Sequence, residues 1–266
     1  MDKNYQIKKV WEIAKKILEN SLRDKPYQKY IEPQPLENKS INCIMYRMLS
    51  HALNTPRKRN AIKLDENKEQ YEKILKQFNP KEISKMSSMD IKNLLNDNIS
   101  FYPKGSWGDE YIRVIKEVSD FLTPFEDAND FIRFCQLINK KLNKKYLPKM
   151  LQDIHWYGPA LSRDLLKELG FDCYAKPDVH VKEFISEIFH CKNDDYTVLK
   201  IINKISEVAK EKIYLIDKII YLSCTHDFYL NGDEQYKDNK SKTKNNKRKQ
   251  ELIKQIKEKC ENIGME

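Results

Sequence analysis

Apolar residues recur every three to four positions along most of the chain, the spacing that gives a helix one water-free face. In Tyr5–Leu22 the stripe is Ile7, Val10, Trp11, Ile13, Ala14, Ile17 and Leu18. The same period predicts helices over 40–53, 66–78, 80–86, 89–95, 110–122, 128–142, 147–154, 161–169, 179–189, 196–210, 213–229 and 249–260. Ser40–Leu53 is apolar on several sides and reads as a buried helix. Pro80 suits a first helical turn, Ser88 an N-cap, and Asp178 the start of Val179–Phe189. Lys25–Lys39, with Pro26, Pro33 and Pro35, reads as an extended connector; Phe101–Gly108 and the segment FDCYAKP at 171–177 read as loops. With only 6 Gly and 10 Pro in 266 residues, the pattern predicts an all-α fold.

Hydrophobic residues at 40%, charged residues at 33% and aromatics at 11% describe an ordered chain of one large domain or two small ones. No apolar run reaches the length of a membrane span, and the first residues lack the apolar stretch and cleavage site of a signal peptide, so an intracellular, cytoplasmic or nucleoid-associated protein is expected. Six scattered cysteines with no CxxC pair encode no zinc or iron–sulfur loop and read as reduced thiols. The histidines at 155, 180, 190 and 226, taken with Cys191 or Cys224, have no common metal spacing, so no metal and no cofactor are expected.

The net charge is +9, concentrated late in the chain. Residues 237–249 carry seven cations, Lys237, Lys240, Lys242, Lys244, Lys247, Arg248 and Lys249, against one acid. The segment reads either as a mobile clamp on nucleic-acid phosphates or as a linker kept soluble by charge.

Leu151–Leu169 (LQDIHWYGPALSRDLLKEL) has the form of two helices joined by a short hairpin with Gly158 as its tight position. Such a hairpin points backbone N–H groups outward toward an anion, and the small Ala160 and Ser162 let the second helix pack closely. Twenty residues after Gly158 comes Asp178, in KPDVHVKEF. N-glycosidic cleavage passes through a cationic, oxocarbenium-like sugar that a fixed carboxylate stabilises while orienting the attacking water. The plainer role for Asp178 is a helix N-cap, and one residue can serve both purposes.

The stretch YGPALSRDLLKELGFDCYAKPDVHV resembles the helix-hairpin-helix DNA glycosylase superfamily, the endonuclease III and 8-oxoguanine glycosylase fold. Ile44–Thr55, ISKMSSMDIKNLL, YIRVIKEVSDFL and IDKIIYLSCTHDFYL resemble further helices of that family, so the likeness spans about residues 41–230. It implies a two-lobed helical fold with a central cleft, a nucleotide flipped into that cleft, and Asp178 as the catalytic aspartate. By this reading residues 1–40 form an N-terminal helix and connector packed on the C-terminal lobe. Residues 41–175 form a helical barrel ending in the hairpin at 147–169, 176–232 the lobe carrying Asp178, and 233–266 a basic linker and last helix.

Ala160 stands where the family's lyase-type members have lysine, so no amine is placed there for a Schiff base. The family's cysteine cluster is missing, Trp156 replaces the first hairpin glycine, and Pro159 removes one N–H donor. The resemblance therefore implies a monofunctional DNA glycosylase, a monomer, acting on duplex DNA that contains a damaged, mismatched or modified base. Alternatives are a bifunctional glycosylase/lyase using a displaced lysine such as Lys176 or Lys149, or a non-catalytic DNA-binding module. Trp156, Tyr157, Gly158, Ala160 and Ser162 are the expected hairpin contacts to DNA. Asp164 is either a base-pocket carboxylate or a solvent-facing charge. His51 and Asn54 either fill the gap left by a flipped base or simply end a helix. Trp107, with Phe101 and Tyr102, either stacks on a base or covers the core.

Overall fold

The computed structural model describes residues 2–24, 27–31, 40–141, 144–230, 233–237 and 242–262, with side chains described throughout except at 227–230, 233–237 and 242–244. The chain divides into two compact units, one made of Met1–Pro35 with Leu166–Glu266, the other of Leu36–Leu165. In chain order the helices are α1 (Lys3–Ser21), α2 (Ile41–Ala52), α3 (Pro56–Ile62), α4 (Lys68–Ile74), α5 (Pro80–Ser84), α6 (Ser88–Asn98), α7 (Ser106–Leu122), α8 (Ala128–Lys141), α9 (Tyr146–Leu151) and α10 (Pro159–Glu168). Then follow α11 (Val179–Ile188), α12 (Asp195–Ala209), α13 (Ile213–Thr225), a two-stranded antiparallel hairpin of β1 (Asp227–Leu230) and β2 (Asp233–Lys237), and α14 (Lys242–Glu261). Among the described residues the regular structure is helical apart from that hairpin. No helix among the described residues is long and apolar enough to cross a membrane.

The 36–165 unit is built around α7, which packs against α2, α3, α5 and α6. Its buried face is Tyr111, Ile112, Val114, Ile115, Val118 and Leu122, spaced at helical period. Each such side chain is worth about 1.5–3 kcal/mol when fully removed from water. Gly108 in the first turn cannot be replaced: a Cβ there would collide with the Pro103 carbonyl, and the Tyr102 hydroxyl donates to the Gly108 carbonyl at 2.9 Å. Tyr102 is thus core cover. The segment expected as a loop from Phe101 is already helical by Ser106.

In the other unit α1 packs against α12, α13 and α14. Trp11, Ala14 and Leu18 meet Phe184 and Ile185 of α11, Val198, Ile202 and Ile205 of α12, and Ile216, Ile219 and Ile220 of α13. The Trp11 indole N–H donates to Glu211 at 3.3 Å, and Lys15 pairs with the other oxygen of that carboxylate at 2.7 Å.

Five features depart from the reading of the sequence. Helix α3 was not anticipated, although Thr55 caps it and Pro56 occupies its first position. The cap of α6 is Ser87, in a reciprocal box with Asp90, not Ser88. Helix α13 stops at Thr225, where His226 turns left-handed, and the β hairpin follows. Helix α14 starts at Lys242, not Lys249, because Lys242–Lys249 contains no proline or glycine to break it and Leu252, Ile253 and Ile256 anchor it in the core. The division between units also falls inside α10 rather than at 175.

Candidate functional site

The stretch read as a hairpin consists of α9, a seven-residue connection and α10. Its turn is held from below: the buried Tyr157 hydroxyl donates to the Met48 carbonyl of α2 at 2.7 Å. Gly158 is not the tight position. Its φ is not left-handed, and a Cβ there would meet nothing within 4 Å. The left-handed residue is Trp156, at φ +69°. Ser162 is also corrected as a DNA contact: it is fully buried, and its hydroxyl and N–H both donate to the Gly158 carbonyl, at 2.8 and 3.0 Å. The Tyr157 N–H is likewise committed, to the Ile154 carbonyl. At the start of α10 the Ala160 and Leu161 N–H groups precede that of Ser162, the first to find an intrahelical acceptor, and Pro159 contributes no donor.

A tryptophan with positive φ costs about 1–3 kcal/mol and persists only where its surroundings fix it. Here Trp156 stacks on Tyr111 (centroids 6.0 Å, 23° between planes) and lies 6.0 Å from Trp107. Its Nε1–H donates to Glu110 at 2.9 Å, and the Lys58 ammonium sits 4.1 Å above its ring. Burial lowers the Lys58 pKa, with Glu110 opposing. The neighbouring His155 N–H donates to Glu117 at 2.5 Å. Trp107 itself is half-buried, with the Arg57 guanidinium 5.1 Å from its ring. We expect Trp156→Ala to be less stable than Trp156→Gly by about 1 kcal/mol, since both lose the ring but only glycine accepts this backbone without strain. Urea denaturation of the two variants measures the difference; equal stabilities, or a more stable alanine variant, would remove the strain argument.

His51 lies half-buried in the last turn of α2 and Asn54 is exposed just beyond it. Both precede α3, whose Lys58 reaches Trp156, and Tyr157 ties the turn to the same helix. The structure thus brings Trp107 and Trp156 together and ties Tyr157 to α2 at Met48, three positions before His51. Asp164 is 5% exposed, so the solvent-facing alternative for it is excluded.

Asp178 belongs to the other unit. It caps α11, its Oδ1 accepting from the Val181 N–H at 2.9 Å, and it is half-buried behind the buried Pro177. Its charge acts on three groups. Asp217 is pushed upward in pKa mainly by burial, which the Lys167 ammonium opposes and Asp178 reinforces. His180 is lowered mainly by burial, against Asp178. The Cys224 thiol is raised to about 12, chiefly by burial.

Sequence reasoning missed the ion pair between Lys167 and Asp217, whose side chains are 4% and 2% exposed. Lys167 and Lys218 place their ammonium groups 5.6 and 5.8 Å from the Tyr214 ring centroid. The second oxygen of Asp217 has no hydrogen-bond partner among the described residues. The signal was available: Asp217 and Lys218 interrupt an otherwise apolar helix, IYLIDKIIYLSCT, and buried charges occur almost only when paired.

The basic segment is partly corrected. Lys240 lies outside the described residues, and the side chains of Lys237, Lys242 and Lys244 are not described; Lys237 ends β2, and Lys242 and Lys244 begin α14. Lys247 is exposed and Arg248 half-buried. Lys249 is 2% exposed and ion-paired with Glu183 on α11, so it is a packing residue and not part of a mobile clamp. No group of three or more His, Cys, Asp and Glu among the described residues could hold a metal ion. No protein family, no curated protein and no solved structure matches the chain.

Proposed function

We propose that the chain is a monofunctional DNA glycosylase of the helix-hairpin-helix type, hydrolysing the bond between deoxyribose and a damaged, mismatched or modified base. The observation that carries this reading is Asp178: a half-exposed carboxylate, fixed at the start of α11 by one hydrogen bond from Val181, twenty residues after the hairpin glycine. One oxygen is held by the backbone, which orients the carboxylate without a second side chain. The C1′–N bond breaks as the sugar becomes cationic, and the carboxylate stabilises that charge. Water then adds to C1′, giving up a proton to the carboxylate, and the departing base takes up a proton.

The hairpin supports the reading in a weaker form than the resemblance implied. Ser162 and the Tyr157 N–H are spent internally, which leaves the first turn of α10 beside the open face of Gly158.

The test is a panel of duplexes, each with one modified base, assayed for free base by mass spectrometry. At least one substrate should release its base. Because Ala160 offers no amine, the strand should stay intact until alkali or heat is applied, and borohydride should trap no covalent adduct. Strand cleavage without alkali by nuclease-free protein would favour a lyase, and no release from any substrate would leave a DNA-binding module.

A further inference from the structure

Helix α3 and the residue that ends it carry four cations, Arg57, Lys58, Arg59 and Lys63, with no acid between Thr55 and Leu64. Among the described residues none of the four makes an ion pair. In the same unit Lys85, Lys92, Arg113 and Lys116 pair with Glu82, Asp109, Glu117 and Asp120, while Lys68, Lys73, Lys76 and Lys81 pair with no carboxylate among the described residues. Asp65 accepts from Tyr46 and Ser50, Asp109 pairs with Lys92, and Glu110, which accepts from Trp156, acts on Lys58 from beyond ion-pair distance.

Three of the cations instead lie on aromatic rings from other segments. Arg57 is on Trp107 at 5.1 Å, Lys58 on Trp156 at 4.1 Å and Lys63 on Phe101 at 5.7 Å. A ring fixes a cation in place without neutralising it, as a carboxylate would. Arg59 is exposed and lies on no ring among the described residues. The result is a set of spaced charges outside any ion pair, with Lys58 half-buried and in the field of Glu110, continuous through Trp156 with the hairpin turn and the open face of Gly158.

We infer that this surface binds the phosphodiester backbone of duplex DNA; the choice of DNA over other polyanions rests on the glycosylase reading and on the rings set among the cations. Fixed cations at the surface release counterions when they neutralise phosphates, so binding must weaken steeply with salt. Contacts of this kind position a protein on DNA and carry no base sequence.

The experiment is fluorescence anisotropy with an undamaged labelled duplex, titrated over a range of NaCl. Changing Arg57, Lys58, Arg59 and Lys63 together to Gln should weaken binding at least tenfold at low salt. The slope of log affinity against log salt should become shallower by about three to four, at about 0.9 for each lost phosphate contact. The charge-retaining set Arg57→Lys, Lys58→Arg, Arg59→Lys and Lys63→Arg should keep the parent slope. Should the Gln set fail to fold, Arg59→Glu alone must still flatten the slope by at least about one. An unchanged slope in a folded variant overturns the inference. So does displacement of the duplex by poly-glutamate at equal charge concentration, which would mark a surface for acidic protein. Failure of the glycosylase reading would leave binding to undamaged DNA intact. Failure of this surface would leave base release at saturating DNA unchanged.

Discussion

Asp178→Asn should cut base release by at least about a hundredfold while the protein folds and binds DNA as before. Removing one group that stabilises transition-state charge typically costs about 2.7–4 kcal/mol, a factor of roughly 10²–10³. Asparagine is the substitution that separates the two roles of this residue. Its side-chain oxygen caps a helix about as well as aspartate, so the bond to the Val181 N–H survives and only the charge is lost. Asp178→Ala loses the cap as well and should be less stable by about 1 kcal/mol. Single-turnover base release and thermal unfolding, measured on both variants, read the two effects independently. Turnover of Asp178→Asn within tenfold of the parent would remove the carboxylate from the chemistry and leave it as a cap.

Breaking the pair of Lys167 and Asp217 should have the largest effect on stability of any side-chain change outside the apolar core. Lys167→Met leaves a carboxylate 2% exposed without its ion-pair partner and with only the weaker field of Lys218, a situation that costs about 3–5 kcal/mol. The loss should depend on pH. Burial already raises the Asp217 pKa and the ammonium opposes it, so without Lys167 the folded-state pKa rises further above its unfolded value. A carboxyl raised on folding gives stability that is present at low pH and is lost as pH rises through its folded pKa. The gap between parent and variant should therefore be wider at pH 8 than at pH 5. Adding Asp217→Leu should recover part of the loss, since an apolar pair of similar volume replaces buried charge at little or no cost. Urea denaturation of the two single variants and the double variant at both pH values measures all of this; a double variant as unstable as the sum of the singles would show that the two residues do not act as a pair.

The helices with a long apolar stripe were legible in the sequence, because burial of α1, α7 and α13 follows directly from spacing. What escaped were short elements and charge pairing. Helix α3 has one buried residue, Ile62, and no periodic stripe to announce it, only Thr55 and Pro56 at its start. Gly158 was assigned the tight turn because glycine is the residue that usually takes it. The backbone places that strain on Trp156 instead, whose ring partners Trp107 and Tyr111 come from a helix nearly fifty residues earlier. Asp178 was readable as a cap, Asp164 as a choice between two environments. The pairing of Lys167 with Asp217 joins positions fifty residues apart and no local pattern encodes it. The exposed appearance of Lys249 in a run of lysines misled for the same reason: its partner, Glu183, is sixty-six residues away.

The unit that holds Asp178 is discontinuous, with α1 at one end of the chain and its packing partners beyond residue 165. Trp11 and Glu211, which share a hydrogen bond, are 200 residues apart. During synthesis the 36–165 unit therefore completes its core first, while α1 waits with Trp11, Ala14 and Leu18 uncovered until α12, α13 and α14 have left the ribosome. Helix α1 is made before its partners yet finds its place only after them, and a nascent chain stalled before Leu166 carries a bare apolar face of the kind that chaperones hold.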